Sequence, residues 1–379
     1  MAAASAVALL AVACSSGGST SPRVSRSPAE SQSSAPTQTP AGPPQVVWVV
    51  RSGAVKVVRV LSPSGGSPRT LVSVPLDATV AGVGGGQIAF LYGDRSLHLY
   101  SLGSGGSVAF PTGIATGEDI FGGALSPDGR RFAFAVVRSA TAGSLRLLDI
   151  ATGVSTTLRT YSSATVDAPT EWVDTRILAE TVVGFSDAGP QAAVAIDPSS
   201  GAETASTSIA GAAGTAFSPD GMHVFDTTHS PLGDDADSAG GPGPQQPFNT
   251  LREFTIGSTP STLYSAAHHQ LSVFAVSDDG SSAVYYNDSS AGGFAGISLS
   301  PQFGLFLIHG TTPLQLTHYG EGGRWDAGAF VDAASAAMAR HVGSAEQLVL
   351  VGPSHSTPVV LDTVAGGDAP AFVSYSPTS

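Results

Sequence analysis

The sequence contains few charged residues, a single cysteine and no apolar stretch long enough to span a bilayer. Only 12% of its 379 residues are Asp, Glu, Lys or Arg, and its formal net charge is −13. A nucleic-acid partner needs a face rich in lysine and arginine that displaces counterions, so we expect none. The single cysteine, Cys14, excludes an intramolecular disulfide.

Residues 2–13 form a short apolar run that ends at Cys14. Crossing a bilayer takes about 20 residues, so the run instead suits the core of a signal peptide. Ala11 and Ala13 before Cys14 resemble the bacterial lipobox, although Ala11 stands where Leu, Val or Ile is usual and no basic residue precedes the run. The resemblance implies a signal peptide at 1–13, a lipid such as palmitate on Cys14, and anchoring to the outer face of the cell membrane. The alternative is a secretory signal cleaved after Ala13, which leaves a free thiol.

Residues 14–44 consist mainly of Ser, Thr, Pro, Gly and Gln, with almost no large apolar side chain. Such a segment cannot bury a core, and we expect a disordered tether with a reach of roughly 30 Å. The remainder, 45–379, carries most of the 46 Gly and 26 Pro of a chain that is 42% hydrophobic. This composition favours many short strands joined by tight turns, hence an all-β domain.

A Ser-Pro-Asp-Gly turn followed by an apolar strand recurs in this domain. The three clearest copies are Ser126, Pro127, Asp128 and Gly129; Ser218, Pro219, Asp220 and Gly221; and Ser277, Asp278, Asp279 and Gly280. Proline presets φ at the first central position of the turn, Asp caps the turn through its side chain, and Gly takes the site with φ above zero. We expect these residues to build hairpins rather than to catalyse a reaction.

Counting weaker copies, the repeat recurs seven times at spacings of roughly 40 to 60 residues. The predicted first inward positions of the second strands are Val46, Ile88, Phe132, Ile177, Val224, Ala283 and Ala337. Four strands per unit at this period are typical of β-propeller blades. The two longest spacings contain polar insertions at 229–247 and 288–301, which we expect at blade edges or on one rim.

The two ends of the repeat region complement each other. The first copy begins directly with its second strand, at 46–50, and the chain ends with an isolated first strand, at 370–375. Pairing these two strands would complete one blade and close the ring. We therefore predict a single all-β propeller of about seven four-stranded blades, with six as the alternative count.

The repeat resembles the WD-like repeats of TolB-type propellers, whose blades carry the same Ser-Pro-Asp-Gly turn before the second strand. The resemblance covers 45–379 and implies the propeller fold. TolB itself has an additional N-terminal α/β domain, to which nothing here corresponds. The role of TolB is therefore not implied.

A search for catalytic motifs finds none. No serine stands in a G-x-S-x-G elbow, the nearest being Ser186, and no zinc helix, dinucleotide turn or phosphate loop occurs. His268 and His269 are adjacent, so on a strand they point to opposite faces, and we favour a polar connection over a metal site. We expect no catalytic residue, no metal ligand and no cofactor.

Two other groups of residues have a functional and a structural interpretation. Asp234, Asp235 and Asp237 lack the spacing of a calcium loop, which favours a solvated acidic loop over a calcium site. Trp48, Trp172 and Trp325 fall on or just before predicted strands. Burial between blades is favoured over the lining of a ligand pocket.

Two functions remain open from the sequence. The first is a non-enzymatic envelope lipoprotein, a monomer, that binds or scaffolds a protein, peptide or glycan through a propeller rim and meets the membrane only through its lipid. The second is a lactonase-like or cyclase-like enzyme with a metal or carboxylate site in the central channel. The side chains that line the channel would distinguish them.

Overall fold

The computed structural model describes nine segments of the chain, all of them built from β-strands and turns. They are 44–184, 190–209, 212–228, 249–266, 270–288, 304–318, 324–355, 357–366 and 372–376. Within them, 28 strands form seven antiparallel sheets of four strands. No helix among these residues has the length and apolar character needed to cross a membrane.

Each sheet is one blade of a propeller, and the strands follow the chain from the channel outward. Blade 1 contains β1 (Gln45–Ser52), β2 (Val55–Leu61), β3 (Arg69–Pro75) and, innermost, β28 (Phe372–Ser376). Blade 2 contains β4 (Thr79–Gly84), β5 (Gln87–Leu91), β6 (Ser96–Ser101) and β7 (Ser107–Pro111). Blade 3 contains β8 (Asp119–Leu125), β9 (Arg131–Ser139), β10 (Ala142–Asp149) and β11 (Val154–Tyr161).

The remaining four blades repeat this order. Blade 4 contains β12 (Thr165–Val173), β13 (Arg176–Val183), β14 (Ala192–Ile196) and β15 (Glu203–Ser208). Blade 5 contains β16 (Ala212–Phe217), β17 (Val224–Thr228), β18 (Thr250–Phe254) and β19 (Ser261–Ser265). Blade 6 contains β20 (Gln270–Val276), β21 (Ser282–Asp288), β22 (Gly304–His309) and β23 (Thr312–His318), and blade 7 contains β24 (Arg324–Phe330), β25 (Ala336–Val342), β26 (Ala345–Val351) and β27 (Val359–Ala365).

The predicted closure of the ring is confirmed. The C-terminal strand β28 pairs antiparallel with β1, with Trp48 opposite Val373 and Val46 opposite Tyr375. The seven positions predicted to point inward on the second strands are all fully buried, and all lie on the second strands of their blades. The predicted count of seven blades is therefore correct, and the alternative of six is wrong.

Large apolar side chains fill the spaces between neighbouring blades. Trp48 packs with Ala337 and Ala339 of blade 7, Trp172 with residues of blade 3, and Trp325 with residues of blade 6. All three indoles are at most 5% exposed. The tryptophans thus belong to the apolar core between blades, as predicted. We call each packed space a seam and name it by its two blades.

A β-bulge interrupts the pairing of most innermost strands with their second strands. In five blades one residue of the innermost strand is skipped in the register, and these residues are Ala81, Gly122, Thr170, Phe274 and Asp326. A bulge bends the strand, increases its twist and redirects the neighbouring side chains. The wall of the channel therefore departs from regular alternation, which the sequence pattern did not predict.

The propeller has two faces that differ in their connections. Because successive strands are antiparallel, all turns between first and second strands lie on one face, which we call the turn face. Connections from one blade to the next, and from second to third strands, lie on the opposite face. The described chain begins at Pro44 and ends at Ser376 on the turn face. The two polar insertions join second to third strands and fall almost entirely outside the described residues.

Candidate functional site at the channel mouth of blades 4 to 6

The three repeated turns share one hydrogen-bond pattern on the turn face. In the turn at Ser126, the hydroxyl accepts the Arg131 N–H at 2.9 Å and donates to Asp128 Oδ1 at 2.6 Å. The Gly129 N–H closes the turn on the Ser126 carbonyl at 2.8 Å. The serine is 1% exposed, so its hydroxyl is a buried hub between the two strands of the hairpin.

The turns at Ser218 and Ser277 repeat this geometry. Their hydroxyls accept the N–H groups of His223 and Ser282 at 2.9 and 3.0 Å, and they donate to Asp220 and Asp279 at 2.5 and 2.8 Å. The final glycines of all three turns have φ of 66 to 67°. Sequence reasoning assigned the capping role to Asp alone, whereas in the structure the serine hydroxyl joins the two strands.

The turns also fit closely against the preceding blade. A Cβ added to Gly280 would lie 2.1 Å from the His223 ring of blade 5, and one added to Gly221 would lie 3.0 Å from Leu178 of blade 4. The glycine is therefore needed for the contact between blades as well as for its positive φ. Pro127 and Pro219 occupy the first central position of their turns, where blade 6 has Asp278.

Glu171 is the unusual group at this mouth. It lies near the turn-face end of β12, the innermost strand of blade 4, directly after the bulged residue Thr170. Its partly buried carboxyl makes no hydrogen bond or ion pair with any described residue. Burial, and secondarily the negative charge of Asp220, raise its pKa to about 8. Glu171 is therefore largely protonated at neutral pH, whereas an exposed glutamic acid would be ionised.

Two further carboxylates bring blades 5 and 6 to the same mouth. Asp220 belongs to the turn of blade 5, and its charge acts on Glu171 and on Asp278, in the turn of blade 6. Desolvation raises the pKa of the Asp278 carboxyl, and the charges of Asp279 and Asp220 raise it further. Carboxylates of three successive blades thus interact repulsively across one mouth of the channel.

The surrounding turns add negative charge. The first-to-second-strand turns of blades 4 to 7 carry five aspartates, and beside them Arg176, the first residue of β13, donates to Met222 Sδ in the turn of blade 5. These aspartates are Asp174, Asp220, Asp278, Asp279 and Asp332. We call this arc, together with Glu171, the acidic mouth.

The seam between blades 4 and 5 continues this acidic character below the mouth. Glu180 of β13 accepts a hydrogen bond from the Thr215 hydroxyl, and burial raises the pKa of this carboxyl. Asp226 is fully buried and forms a two-point ion pair with Arg252, whose Nε lies 2.8 Å from Oδ1. Burial raises the pKa of Asp226 despite this partner. Arg252 thus compensates the buried charge of Asp226.

Several residues singled out in the sequence lie outside the described residues. They are Cys14, Asp234, Asp235, Asp237, Ser186, His268 and His269. In the described part of the chain, no group of three or more His, Cys, Asp or Glu side chains is arranged to hold a metal ion. Asp220 and Asp278, predicted only as turn residues, are brought to the channel mouth. Glu171 had no signal in the sequence, because its environment depends on burial in the folded ring and on Asp220 of another blade.

Comparison with known proteins identifies the fold. No family model and no curated protein sequence matches the chain. Among solved structures, it is similar to the oligogalacturonate lyase of Vibrio parahaemolyticus (TM-score 0.55, 9% identity), covering 81% of this chain and 91% of that one. It is also similar to the β-propeller domain of the Trilobed protease of Pyrococcus furiosus (TM-score 0.50, 9% identity), covering 77% and 83%. That domain has an open velcro topology, whereas β28 and β1 close the ring here.

TolB of Acinetobacter baumannii is also among the similar structures. Its TM-score is 0.47 and its identity 13%, and the match covers 87% of this chain but 66% of TolB. The chain therefore matches slightly less than two thirds of the length of that protein. At such identities these likenesses show the fold alone, and the chain is a seven-bladed β-propeller.

Proposed function

We propose that this protein is a non-enzymatic binding module that accepts a basic segment of a protein or peptide partner at the acidic mouth. The observation that carries the proposal is the convergence of Glu171, Asp220 and Asp278 from three blades, none of which forms an ion pair with a described residue. The charge of Asp220 disfavours ionisation of Glu171 and Asp278 in the free protein. A lysine or arginine side chain at the mouth would relieve the repulsion and form charge-assisted hydrogen bonds.

A peptide-binding experiment tests this proposal. Labelled peptides of equal length with lysine and arginine, with only neutral residues, or with glutamate are titrated into the full-length chain. We expect the basic peptide to bind at least tenfold more tightly than the others, and its affinity to fall as salt rises. Equal binding of the three peptides would contradict the proposal.

Matched variants localise the binding. The double substitution Glu171→Gln and Asp278→Asn should weaken binding of the basic peptide about tenfold or more. Asp94→Asn is the control, because it removes a charge from an exposed turn on the opposite face. An equal loss in the control would point to the net charge of −13 rather than to the mouth. Binding should also strengthen between pH 7 and 9, as Glu171 ionises.

We propose further that a lipid on Cys14 anchors the protein to the outer face of the cell membrane and that residues 14–44 serve as the tether. The apolar run and the single cysteine at its end support this proposal. Mass spectrometry of the mature protein should find an acylated N-terminal cysteine. An unmodified Cys14 would overturn the anchor and favour a secreted protein.

A second candidate is an enzyme that acts on the face opposite the turn face, where the second and third strands of blade 7 meet. His341 Nδ1 lies 2.8 Å from Glu346 Oε1, and the Glu346 side chain is fully buried. Asp326, on the innermost strand of the same blade, is close enough for its charge to raise the pKa of Glu346 in addition to the larger effect of burial. An imidazole oriented by a buried carboxylate is a general base in many enzymes. This candidate predicts turnover that is lost in His341→Gln and kept in Glu171→Gln.

A further inference from the structure

A groove lies at the outer edge of the propeller, between blades 2 and 3 and away from both channel mouths. Its volume is about 360 Å³. The lining residues are Pro111, Gly113, Arg146, Gly153, Ser155 and Thr157. Pro111 ends the outer strand β7 of blade 2, and the last four belong to β10, β11 and the turn between them. The volume is within the range of about 300 to 1,000 Å³ that small-molecule sites occupy.

The groove contains a guanidinium that is held in place. Arg146 Nε donates to the Ser144 hydroxyl at 3.1 Å, and Nη2 lies 3.3 and 3.4 Å from the two oxygens of Glu118. Its side chain is 19% exposed. The remaining nitrogen, Nη1, has only a long contact of 3.5 Å with the Gly113 carbonyl. A guanidinium that is held in place and has N–H groups without a close acceptor is suited to bind a carboxylate.

The local charge at this guanidinium is positive although the whole chain is acidic. Glu118 is shared by two arginines, because Arg138 Nε also lies 3.1 Å from its Oε1. Burial would raise the pKa of the Glu118 carboxyl, but the Ala115 N–H, Arg146 and Arg138 together hold it below the usual value. Glu118 is therefore ionised at neutral pH and neutralises only one of the two guanidinium groups.

Two hydroxyl side chains stand on the same face of β11 beside this cation. Thr157 is directly opposite Arg146 in the register, and Ser155 is two residues earlier, opposite Leu148. The Ser155 hydroxyl oxygen is buried and has no hydrogen-bond partner among the described residues. A buried hydroxyl without a partner is costly, so it is available to a ligand that offers a donor or acceptor.

We propose that this groove binds a small hydroxylated carboxylate, with the carboxylate on Arg146 and the hydroxyl groups on Ser155 and Thr157. The glycines at both ends, Gly113 and Gly153, leave the space open and expose backbone to the ligand. A phosphate-binding site would call for further cations or a run of free N–H groups, which the six lining residues do not supply. The site is separate from the acidic mouth, so the two proposals can fail independently.

Three probes separate the parts of the proposed ligand. Glucuronate offers a carboxylate and hydroxyl groups, glucose offers hydroxyl groups only, and acetate offers a carboxylate only. We expect glucuronate, titrated into the full-length chain by calorimetry, to bind at least tenfold more tightly than glucose or acetate. Equal binding of glucose would overturn the assignment of the carboxylate to Arg146, and the absence of glucuronate binding at millimolar concentrations would overturn the site.

Variants then locate the binding in the groove. Arg146→Gln should weaken glucuronate binding at least tenfold, and Ser155→Ala or Thr157→Val should weaken it about threefold. Arg130→Gln is the control, because Arg130 is an exposed arginine of the same blade that neither lines the groove nor contacts Glu118, and it should change binding less than twofold. If Arg146→Gln fails to fold, binding is compared in Ser155→Ala and Thr157→Val. Unchanged binding in those two variants, or a loss in Arg130→Gln equal to that in Arg146→Gln, would overturn the proposal.

Discussion

Asp167 and Glu171 lie four residues apart on the same innermost strand, yet their surroundings are opposite. Asp167, which is 3% exposed, accepts hydrogen bonds from Tyr161 and Thr181 at 2.8 Å and pairs with Arg159 at 3.0 Å. Two of these partners come from blade 3, so the carboxylate ties the seam between blades 3 and 4 together. Glu171 has no such donor, and its pKa is raised to about 8.

The bulge at Thr170 separates the two environments. It interrupts the pairing with β13 between Pro169 and Glu171, so the strand is redirected between the two acids. A carboxylate with three donors is typical of a structural role, whereas a partnerless carboxyl on a channel wall is typical of a site that meets a ligand. The innermost strand of blade 4 thus carries one acid, Asp167, that stabilises the fold and another, Glu171, that is available to a ligand.

The largest expected effect comes from breaking the close approach in the seam between blades 3 and 4. Gly122 has φ of +62°, and an added Cβ would lie 2.3 Å from the Pro169 carbonyl oxygen of β12. Gly122→Ala should therefore lower the free energy of unfolding by about 3 to 5 kcal/mol, from backbone strain plus overpacking. Urea unfolding measures the loss.

Gly117→Ala is the matched control for this effect. Gly117 has φ of +87° in the connection that precedes the same strand, and nothing lies within 4 Å of its added Cβ. It should lose only about 1 to 2 kcal/mol, the cost of the left-handed backbone. Equal losses in the two variants would mean that the seam is not closely packed at Gly122.

The next largest effect is expected when the charge of Asp167, the carboxylate with three partners, is removed. Asp167→Asn keeps the size of the side chain but leaves Arg159 without its short ion pair and disturbs the bonds from Tyr161 and Thr181. We expect a loss of about 2 to 3 kcal/mol by urea unfolding. Asp149→Asn, a turn cap of blade 3 that crosses no seam, should lose about 1 kcal/mol. If Asp167→Asn lost no more free energy of unfolding than Asp149→Asn, Asp167 would not stabilise the seam between blades 3 and 4.

Removal of the Glu171 carboxyl, which has no partner, should stabilise the protein rather than destabilise it. The folded-state pKa of Glu171 lies above the unfolded value of 4.5, so the stability linked to this group is fully present below pH 4.5 and is lost as the pH rises through about 8. Glu171→Gln should therefore match the natural protein in Tm at pH 5 and exceed it by several degrees at pH 9. A constant difference across this range would show that Glu171 titrates normally.

Much of the fold could be predicted because its signals are local and repeated. Each second strand carries an apolar run after a turn, and positions such as Phe132 and Ala337 are buried as the period predicted. The closing blade followed from an unpaired strand at each end of the repeat, now seen as β1 and β28. These inferences need only hairpin chemistry and strand alternation.

The candidate sites could not be predicted, because they depend on side chains brought together from different blades. In the sequence, Glu171 is one polar residue before two apolar residues. Asp220 comes close to it only when the blades assemble into the ring. Likewise, Arg146 and Gly113 are far apart in sequence and meet only where the outer edges of blades 2 and 3 face each other. The bulges on the innermost strands have no signature in the sequence, so the orientation of the side chains on the channel wall could not be predicted either.

The smallest expected effect concerns why the carboxyl at the acidic mouth, Glu171, has a raised pKa while Asp167 in the seam between blades 3 and 4 is an ion-pair partner. Asp220→Asn keeps an oxygen for the Ser218 hydroxyl and the Met222 N–H, so the turn should persist. It removes the lesser of the two causes that raise the pKa of Glu171 and leaves burial, the larger one. A carboxyl-carbon NMR titration should therefore give a Glu171 pKa below about 8 but still above its usual value. Asp174→Asn, a charge removed from the turn of the same blade, should leave this pKa unchanged. A fall to the usual value in Asp220→Asn would mean that charge, not burial, governs the mouth, and no fall would mean that the two carboxylates do not interact.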